Sequence, residues 1–271
     1  MKKYIACASL FFACTPALAQ AEEPAGPISV SGSATLTSDY RFRGVSQSNK
    51  EMAIQGGLTV SHESGLYVGT WASNLAGWGT FGGSNMELDI FGGYAMPIGP
   101  VTLDVGLTWY MYPGGADTTD FAEPYVKLSG DIGPASLLVG VAYAPKQEAL
   151  GNAALGVHPD AAIGDKEDNF YIWSDISAGI PETPVTLKAH LGYSDGNPGL
   201  GPNGTSVAPT GKYVDWMLGA DVAVGPVTLG LSYVDTDIGK AEAAALPGFG
   251  SSKDGSSISS GRVVLSGTVG F

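Results

Sequence analysis

Nine acidic and five basic side chains fall at alternate positions within segments of alternating polarity, and residues so spaced on a β-strand share one face. The acids are Asp39, Glu87, Asp89, Asp104, Glu123, Asp131, Asp175, Asp215 and Asp221; the bases are Arg41, Arg43, Lys127, Lys188 and Arg262. Gathered on the inner wall of a closed sheet, such charges would line a watery passage, and the excess of acids would favour cations. The same charges could instead pair across strands and fill the interior. Asp39, Arg41 and Arg43 share a face near the outer end of the first segment, where they would brace a loop through ion pairs or narrow the passage. A second chemistry is suggested by His190 and Asp215. If the hairpin that joins their segments pairs in register, both face inward within one or two positions of each other and could activate water.

Other motifs are weaker. His62 sits in a turn and His158 in the longest loop. Asp195-Gly196-Asn197 and the cluster from Asp165 to Asp168 lack the spacing of a calcium loop and read as solvated turns. Asn203-Gly204-Thr205 is a glycosylation sequon, without meaning if the chain is bacterial. There is no phosphate loop, zinc pattern or nucleophile elbow, so no catalytic residue, metal or cofactor is expected.

The elements that would position these groups are strands. Glycine accounts for 40 of the 271 residues, a content costly in helices but tolerated in curved strands and turns. The longest apolar run, Ala135 to Ala144, is far short of the roughly 20 residues of a spanning helix. From Val30 onward about a dozen segments alternate apolar and polar residues over roughly ten positions, the length of strands tilted across a bilayer. The clearest sets Val101, Leu103, Val105, Leu107, Trp109 and Met111 against Thr102, Asp104, Gly106, Thr108, Tyr110 and Tyr112. Two segments are ambiguous: in Leu66 to Asn74 the faces of Tyr67 and Trp71 are open, and in Ser136 to Ala144 both faces are apolar.

Connection lengths alternate as well. Short turns fall at His62 to Gly65, Pro97 to Pro100, Ile132 to Pro134, Pro181 to Pro184 and Val224 to Pro226, three of them containing Ile/Val-Gly-Pro. Longer loops run over Arg43 to Glu51, Asn74 to Asn85, Pro113 to Phe121, Pro145 to Glu167, Ser194 to Lys212 and Thr236 to Ser257, with a short helix near Lys240 to Leu246. Five turns and six loops predict an all-β, up-and-down antiparallel barrel of about twelve strands, both ends on one side. Tyr40, Phe42, Trp109, Tyr143, Phe170, Tyr193, Trp216 and Tyr233 would form its outer aromatic girdle, and the last strand is expected over Ile258 to Phe271. A secreted β-sandwich is the competing fold.

The start of the chain reads as an export signal: Lys2 and Lys3, an apolar stretch from Tyr4 to Ala13, then Pro16 and Ala17-Leu18-Ala19, with cleavage after Ala19 or Ala21. A lipoprotein would be cut before Cys14, but Phe11-Phe12-Ala13 matches that signal poorly. The division is then 1–19 signal peptide, 20–29 periplasmic segment and 30–271 barrel. Both cysteines, Cys7 and Cys14, leave with the signal, so the barrel stands without disulfides. The remaining net charge of about 15 negative excludes nucleic acid as a partner.

The segment Ser38-Asp39-Tyr40-Arg41-Phe42-Arg43-Gly44-Val45-Ser46-Gln47-Ser48 resembles the opening motif of the TorF-type porins. The likeness continues through Ser64-Gly65-Leu66-Tyr67-Val68-Gly69-Thr70-Trp71-Ala72-Ser73-Asn74, Leu191-Gly192-Tyr193-Ser194-Asp195-Gly196 and Tyr233-Val234-Asp235-Thr236-Asp237. It implies an outer-membrane barrel and supplies no catalytic or substrate residues. Phe271, with Val263, Leu265 and Val269 at alternate positions before it, is similar to the terminal strand by which the barrel-assembly machinery recognises its substrates. The expected function is passive diffusion of small cationic or neutral solutes across the outer membrane, in contact with lipid and with its oligomeric state open. The alternatives are a barrel hydrolase using His190 and Asp215, or a non-conducting structural or adhesive barrel.

Overall fold

The computed structural model describes residues 26–150, 166–196 and 206–271. The segment read as an export signal, with both cysteines, and His158, Asp165, Asn197 and the sequon at Asn203 lie outside the described residues. Fourteen strands follow in order: β1 (Ile28–Thr37), the short β2 (Arg41–Phe42) and β3 (Val45–Ser46), β4 (Ala53–His62), β5 (Leu66–Asn74), β6 (Met86–Ile98), β7 (Val101–Met111), β8 (Phe121–Ile132), β9 (Ala135–Gln147), β10 (Glu167–Gly179), β11 (Val185–Gly196), β12 (Lys212–Val224), β13 (Val227–Thr236) and β14 (Arg262–Gly270). The twelve long strands close into one antiparallel barrel, in which β1 pairs with β4 on one side and with β14 on the other. Ile28 lies opposite His62, and Phe271 exchanges backbone bonds with Gly32. Both ends of the sheet therefore lie at the turn end, and closure leaves no free edge.

Alternation fixes which face is which. On β7, Val105, Leu107 and Trp109 are 44%, 42% and 42% exposed, whereas Asp104, Thr108 and Tyr110 are buried. The pattern repeats round the barrel with Ile90, Leu128, Val139, Ile172, Leu191, Leu218, Leu231 and Leu265, all exposed. A continuous apolar belt outside a polar interior inverts the soluble arrangement and suits hydrocarbon. No described helix is long and apolar enough to cross a membrane; the strands carry the belt. The ambiguous segments resolve: Tyr67 and Trp71 face inward, where they contact Asp104 and Tyr40, and on β9 Leu138 and Ala142 face inward while Val139 and Tyr143 face out.

Glycine serves the interior in a way that composition alone did not reveal. Phe91 lies directly across from Gly69, Tyr67 from Gly93, Tyr125 from Gly106 and Trp173 from Gly140. A Cβ on any of these glycines would stand 2.3–2.5 Å from its aromatic partner. The bare backbone lets each ring lie flat across the neighbouring strand, a cross-strand pairing in which an aromatic covers a glycine. Large side chains thus line the inner wall of a barrel wider than one of eight strands.

The first loop departs from expectation. Alternation extends the first strand through Arg43, but β1 ends at Thr37, and Arg43 and Gly44 both take positive φ (47° and 78°). Two central residues with positive φ make the tight turn that matches a twisted hairpin, and β2 and β3 pair across it, Arg41 opposite Ser46 and Phe42 opposite Val45. The hairpin turns into the barrel. Tyr40 and Phe42 accordingly belong to the interior and not to the outer girdle: Tyr40 is 2% exposed, and Phe42 packs on Tyr110. Trp109, Tyr143, Phe170 and Tyr233 remain outward and exposed. Ile258 is likewise no strand residue; it is fully buried beneath the last loop, whose short helix α1 spans Lys240–Ala245.

Candidate functional site

Residues 39–49 form a plug in the loop end of the barrel. Arg41, Arg43, Val45, Ser46, Gln47, Ser48 and Asn49 are all buried. The plug is tied to the neighbouring loops by backbone: the Ser46 amide donates to the Ile258 carbonyl at 2.9 Å, and the Ala76 amide to the Gln47 carbonyl at 3.0 Å. Aromatic and aliphatic side chains seal it. Tyr40, Phe81, Tyr110, Tyr112, Phe121 and Leu150 pack on one side, and Val45, Tyr213, Leu246, Phe249 and Ile258 on the other.

At its tip the plug reaches the wall opposite its own strand, on either side of β9. Arg43 Nη2 donates to both Glu123 carboxylate oxygens at 2.6 and 2.8 Å, and Nη1 donates to Asn169 Oδ1 at 2.8 Å. Its guanidinium also lies 4.0 Å from the Tyr171 ring centre and 4.8 Å from that of Phe42. Glu123 on β8 and Asn169 on β10 are each five strands from β1, counted in opposite directions round the barrel. One side chain on a loop therefore joins what the strands hold apart. Arg41, by contrast, stays within the plug and its rim: Nε donates to Asp39 at 2.8 Å and Nη1 to the Gly44 carbonyl at 2.7 Å.

Below the plug, pairs run down the wall. Lys127 meets Asp104 at 2.8 Å and lies 4.2 Å from the Tyr125 ring, Tyr67 donates to Asp104 at 2.6 Å, and Lys188 meets Asp221 at 2.8 Å. Of the other charges, Arg262 opens β14 near the rim, 3.9 Å from Asp39, and Asp131 is exposed at the turn end beside Ser136. Glu87 and Asp89 are buried high on β6. Exposure changes along the strands. On β8 the inner face is buried from Phe121 to Lys127, half-buried at Ser129 and exposed at Asp131; on β10, Tyr171 is buried while Trp173 and Asp175 are half-buried. The lumen is a cup, filled at the loop end and open toward the turns.

His190 and Asp215 do meet. His190 Nε2 is 3.1 Å from Asp215 Oδ1, and its Nδ1 is 2.6 Å from Asp175 Oδ1; Tyr171 Oη is 3.0 Å from Nε2 and donates to Asp215. Gly192 is the residue opposite Asp215, so His190 and Asp215 sit two positions apart in register. With a carboxylate at each ring nitrogen, the imidazole presents no free nitrogen to a substrate water, and a general base needs one. The arrangement ties β10, β11 and β12 together beneath the ring that supports Arg43. Asp175 and Tyr171 as partners of His190 were not visible in spacing; only the register of three strands brings them in.

The rim loops carry exposed pairs: Lys253 Nζ donates to Glu51 at 2.7 Å, and Lys50 contacts Ser256. The hydroxyl and amide of Ser256 bond Asp254 at 2.5 and 3.0 Å and hold its carboxyl down at about 2. A depressed carboxylate stabilises the fold above its unfolded value of about 3.9 and stops doing so as pH falls through its folded value. Amide exchange across residues 251–256, corrected for intrinsic rate, should therefore show protection at pH 5 that fades toward pH 2. An Asp254→Asn chain should lack it at both; equal protection in that variant would refute the role.

Solved structures with similar shape are membrane barrels of low sequence identity. A chain from a study of in-meso crystallization of membrane proteins is 8% identical, with 89% of this chain and 83% of that one aligned and a TM-score of 0.49. The COG4313 outer membrane channel from Pseudomonas putida F1 is 9% identical (93% and 100% covered, TM-score 0.43), as is Salmonella typhi OmpF (90% and 97%, 0.42). At these scores the barrel rests on its own strand pairing. No curated protein matches the chain. A family model described as "Bacterial protein of unknown function (Gcw_chp)" matches residues 21–258, and the chain belongs to that family.

Proposed function

We propose that this chain is an outer-membrane channel for small cationic or neutral solutes, shut at its outer half by its own first loop. The observation that supports the reading is that a loop turned inward at Arg43 and Gly44 occupies the outer end of the lumen, and that Arg43 reaches from it to the far wall. Swinging that hairpin out would leave a polar wall behind. The acidic excess survives pairing, since Arg41, Arg43, Lys127 and Lys188 each neutralise one carboxylate while Glu87, Asp89 and Asp131 have no Lys or Arg partner among the described residues. Such a wall favours cations. The resemblance of the opening motif to TorF-type porins points the same way.

Export would follow from the leader sequence, and assembly from the last strand, which turns Val263, Leu265 and Val269 outward and ends on the exposed Phe271. Planar-bilayer recording under a salt gradient tests the reading. The purified chain should give rare, cation-preferring openings, and a chain with residues 41–47 replaced by glycine and serine should conduct continuously. Silence from both, or an anion preference, would overturn it.

A further inference from the structure

The outer loops enclose a hollow that the plug leaves empty. The β5–β6 loop and the β13–β14 loop both touch the plug, the first through the Ala76 amide on Gln47 and the second through the Ser252 amide on Asn49. Between them lies a cavity of about 630 Å³, within the size range of small-molecule sites. Trp78, Thr80 and Phe81 stand on one side of it; Ala244, Leu246 and Phe249 stand on the other. Trp78 meets Phe249 edge to face at 4.8 Å and 84°, and Phe81 at 6.3 Å and 79°. Neither contact is a parallel stack, and Trp78 is only half-buried, so part of its ring is open to an occupant.

The lining selects by charge and by hydrogen bonding. No acidic, basic or histidine side chain among the described residues lines the cavity. The charges nearest in sequence are engaged elsewhere, Lys253 with Glu51 and Asp254 with Ser256. Donors are largely spent as well. The amides of Thr80, Leu246, Phe249, Gly250, Ser251 and Gly255 already donate to protein carbonyls, and the Thr80 hydroxyl donates to the Gly77 carbonyl at 2.7 Å. Pro247 has no N–H to offer. What remains is apolar surface with oxygen acceptors at its edge. An ion would lose its water there without a counter-charge, which is costly, and a sugar brings an acceptor with every hydroxyl but finds few donors to meet it. A flat uncharged ring finds aromatic neighbours. We infer that this cavity binds a small uncharged ring compound carrying a hydroxyl or N–H donor. Such an occupant touches both loops at once. The inference concerns the outer loops and stands whether or not the barrel conducts.

The test is quenching of tryptophan fluorescence in the refolded barrel, held in a sugar-free zwitterionic detergent, by 4-nitrobenzyl alcohol, an uncharged ring with one hydroxyl. Quenching should contain a saturable part above the linear, collisional one. The anion 4-nitrobenzoate should bind at least about tenfold more weakly, because its carboxylate would be desolvated without a partner, and maltose should not displace the alcohol. Ala244→Leu puts bulk into the cavity from an exposed position on α1 and should abolish the saturable part; Ala245→Leu, next to it on the helix and outside the lining, should keep it. Amide exchange of the parent covers the case in which Ala244→Leu fails to fold: the alcohol should slow exchange in residues 77–82 and 243–252 together. Purely linear quenching, a folded Ala244→Leu chain that still saturates, equal affinity for the anion, displacement by maltose, or slowing confined to one loop would each overturn the inference.

Discussion

Replacing Arg43 with alanine should cost about 3–5 kcal/mol of stability, the usual loss on removing one partner of a buried ion pair, and should turn a mostly closed barrel into one that conducts most of the time. The stability loss comes from Glu123, which is left 3% exposed with only the 3.2 Å bond from Tyr110. Loss of the contact with the Tyr171 ring adds up to about 2 kcal/mol where the cation is desolvated. The conductance change has a separate origin: with the guanidinium go the ion pair and the hydrogen bond that join the hairpin tip to Glu123 on β8 and Asn169 on β10. The double variant Arg43→Ala with Glu123→Gln separates the two effects. It should recover much of the stability, because no charge is stranded, yet remain open. Arg43→Lys should resemble alanine more than arginine, since an ammonium cannot hold Glu123 with two bonds and Asn169 with a third. Urea titration and single-channel recording of the four chains decide the matter, and closure that persists in Arg43→Ala would show that the apolar seal alone shuts the lumen.

The wall of this barrel was legible in the sequence and the plug was not, for a physical reason. A strand in a closed sheet repeats every two residues for ten positions, as in Val101 to Met111, and Ile/Val-Gly-Pro marks where the ladder must stop. Asp39-Tyr40-Arg41-Phe42-Arg43 repeats with the same period, so pattern alone extends the strand into it. Only the left-handed backbone at Arg43 and Gly44 ends the run, and Arg-Gly is a far weaker hairpin signal than Asn-Gly. Across the lumen the difficulty is separation. Arg43 finds Glu123 80 residues away and Asn169 126 away, a meeting set by how many strands close the circle. His190 and Asp215, in neighbouring strands joined by one loop, were within reach of a register argument.

The glycines of the wall yield the second large effect, at a position where no conformational strain is involved. Gly192→Ala should destabilise the barrel by about 1–3 kcal/mol through overpacking, with up to about 1.5 kcal/mol more for each hydrogen bond displaced. A Cβ there would meet Tyr171 Oη at 2.1 Å and Asp215 Oδ2 at 2.6 Å. Neither neighbour can retreat freely: Tyr171 is stacked on Trp173 at 5.4 Å, bonded to Asp215 and beneath the Arg43 guanidinium. Gly56→Ala is the proper contrast. It also lies within a strand, but its nearest neighbour is the Ser33 carbonyl at 3.5 Å, and alanine loses less backbone entropy on folding than glycine, so the change should be neutral or stabilising by up to about 1 kcal/mol. Removing the obstructing oxygen tests the cause directly. Tyr171→Phe alone forfeits its hydrogen bonds, but combined with Gly192→Ala it makes room for the new methyl group, so the double variant should cost less than the two singles together by at least about 0.5 kcal/mol. Additive costs in urea titrations, or a Gly192→Ala chain as stable as Gly56→Ala, would mean that the rings do not depend on bare backbone, and their packing along the wall would need another explanation.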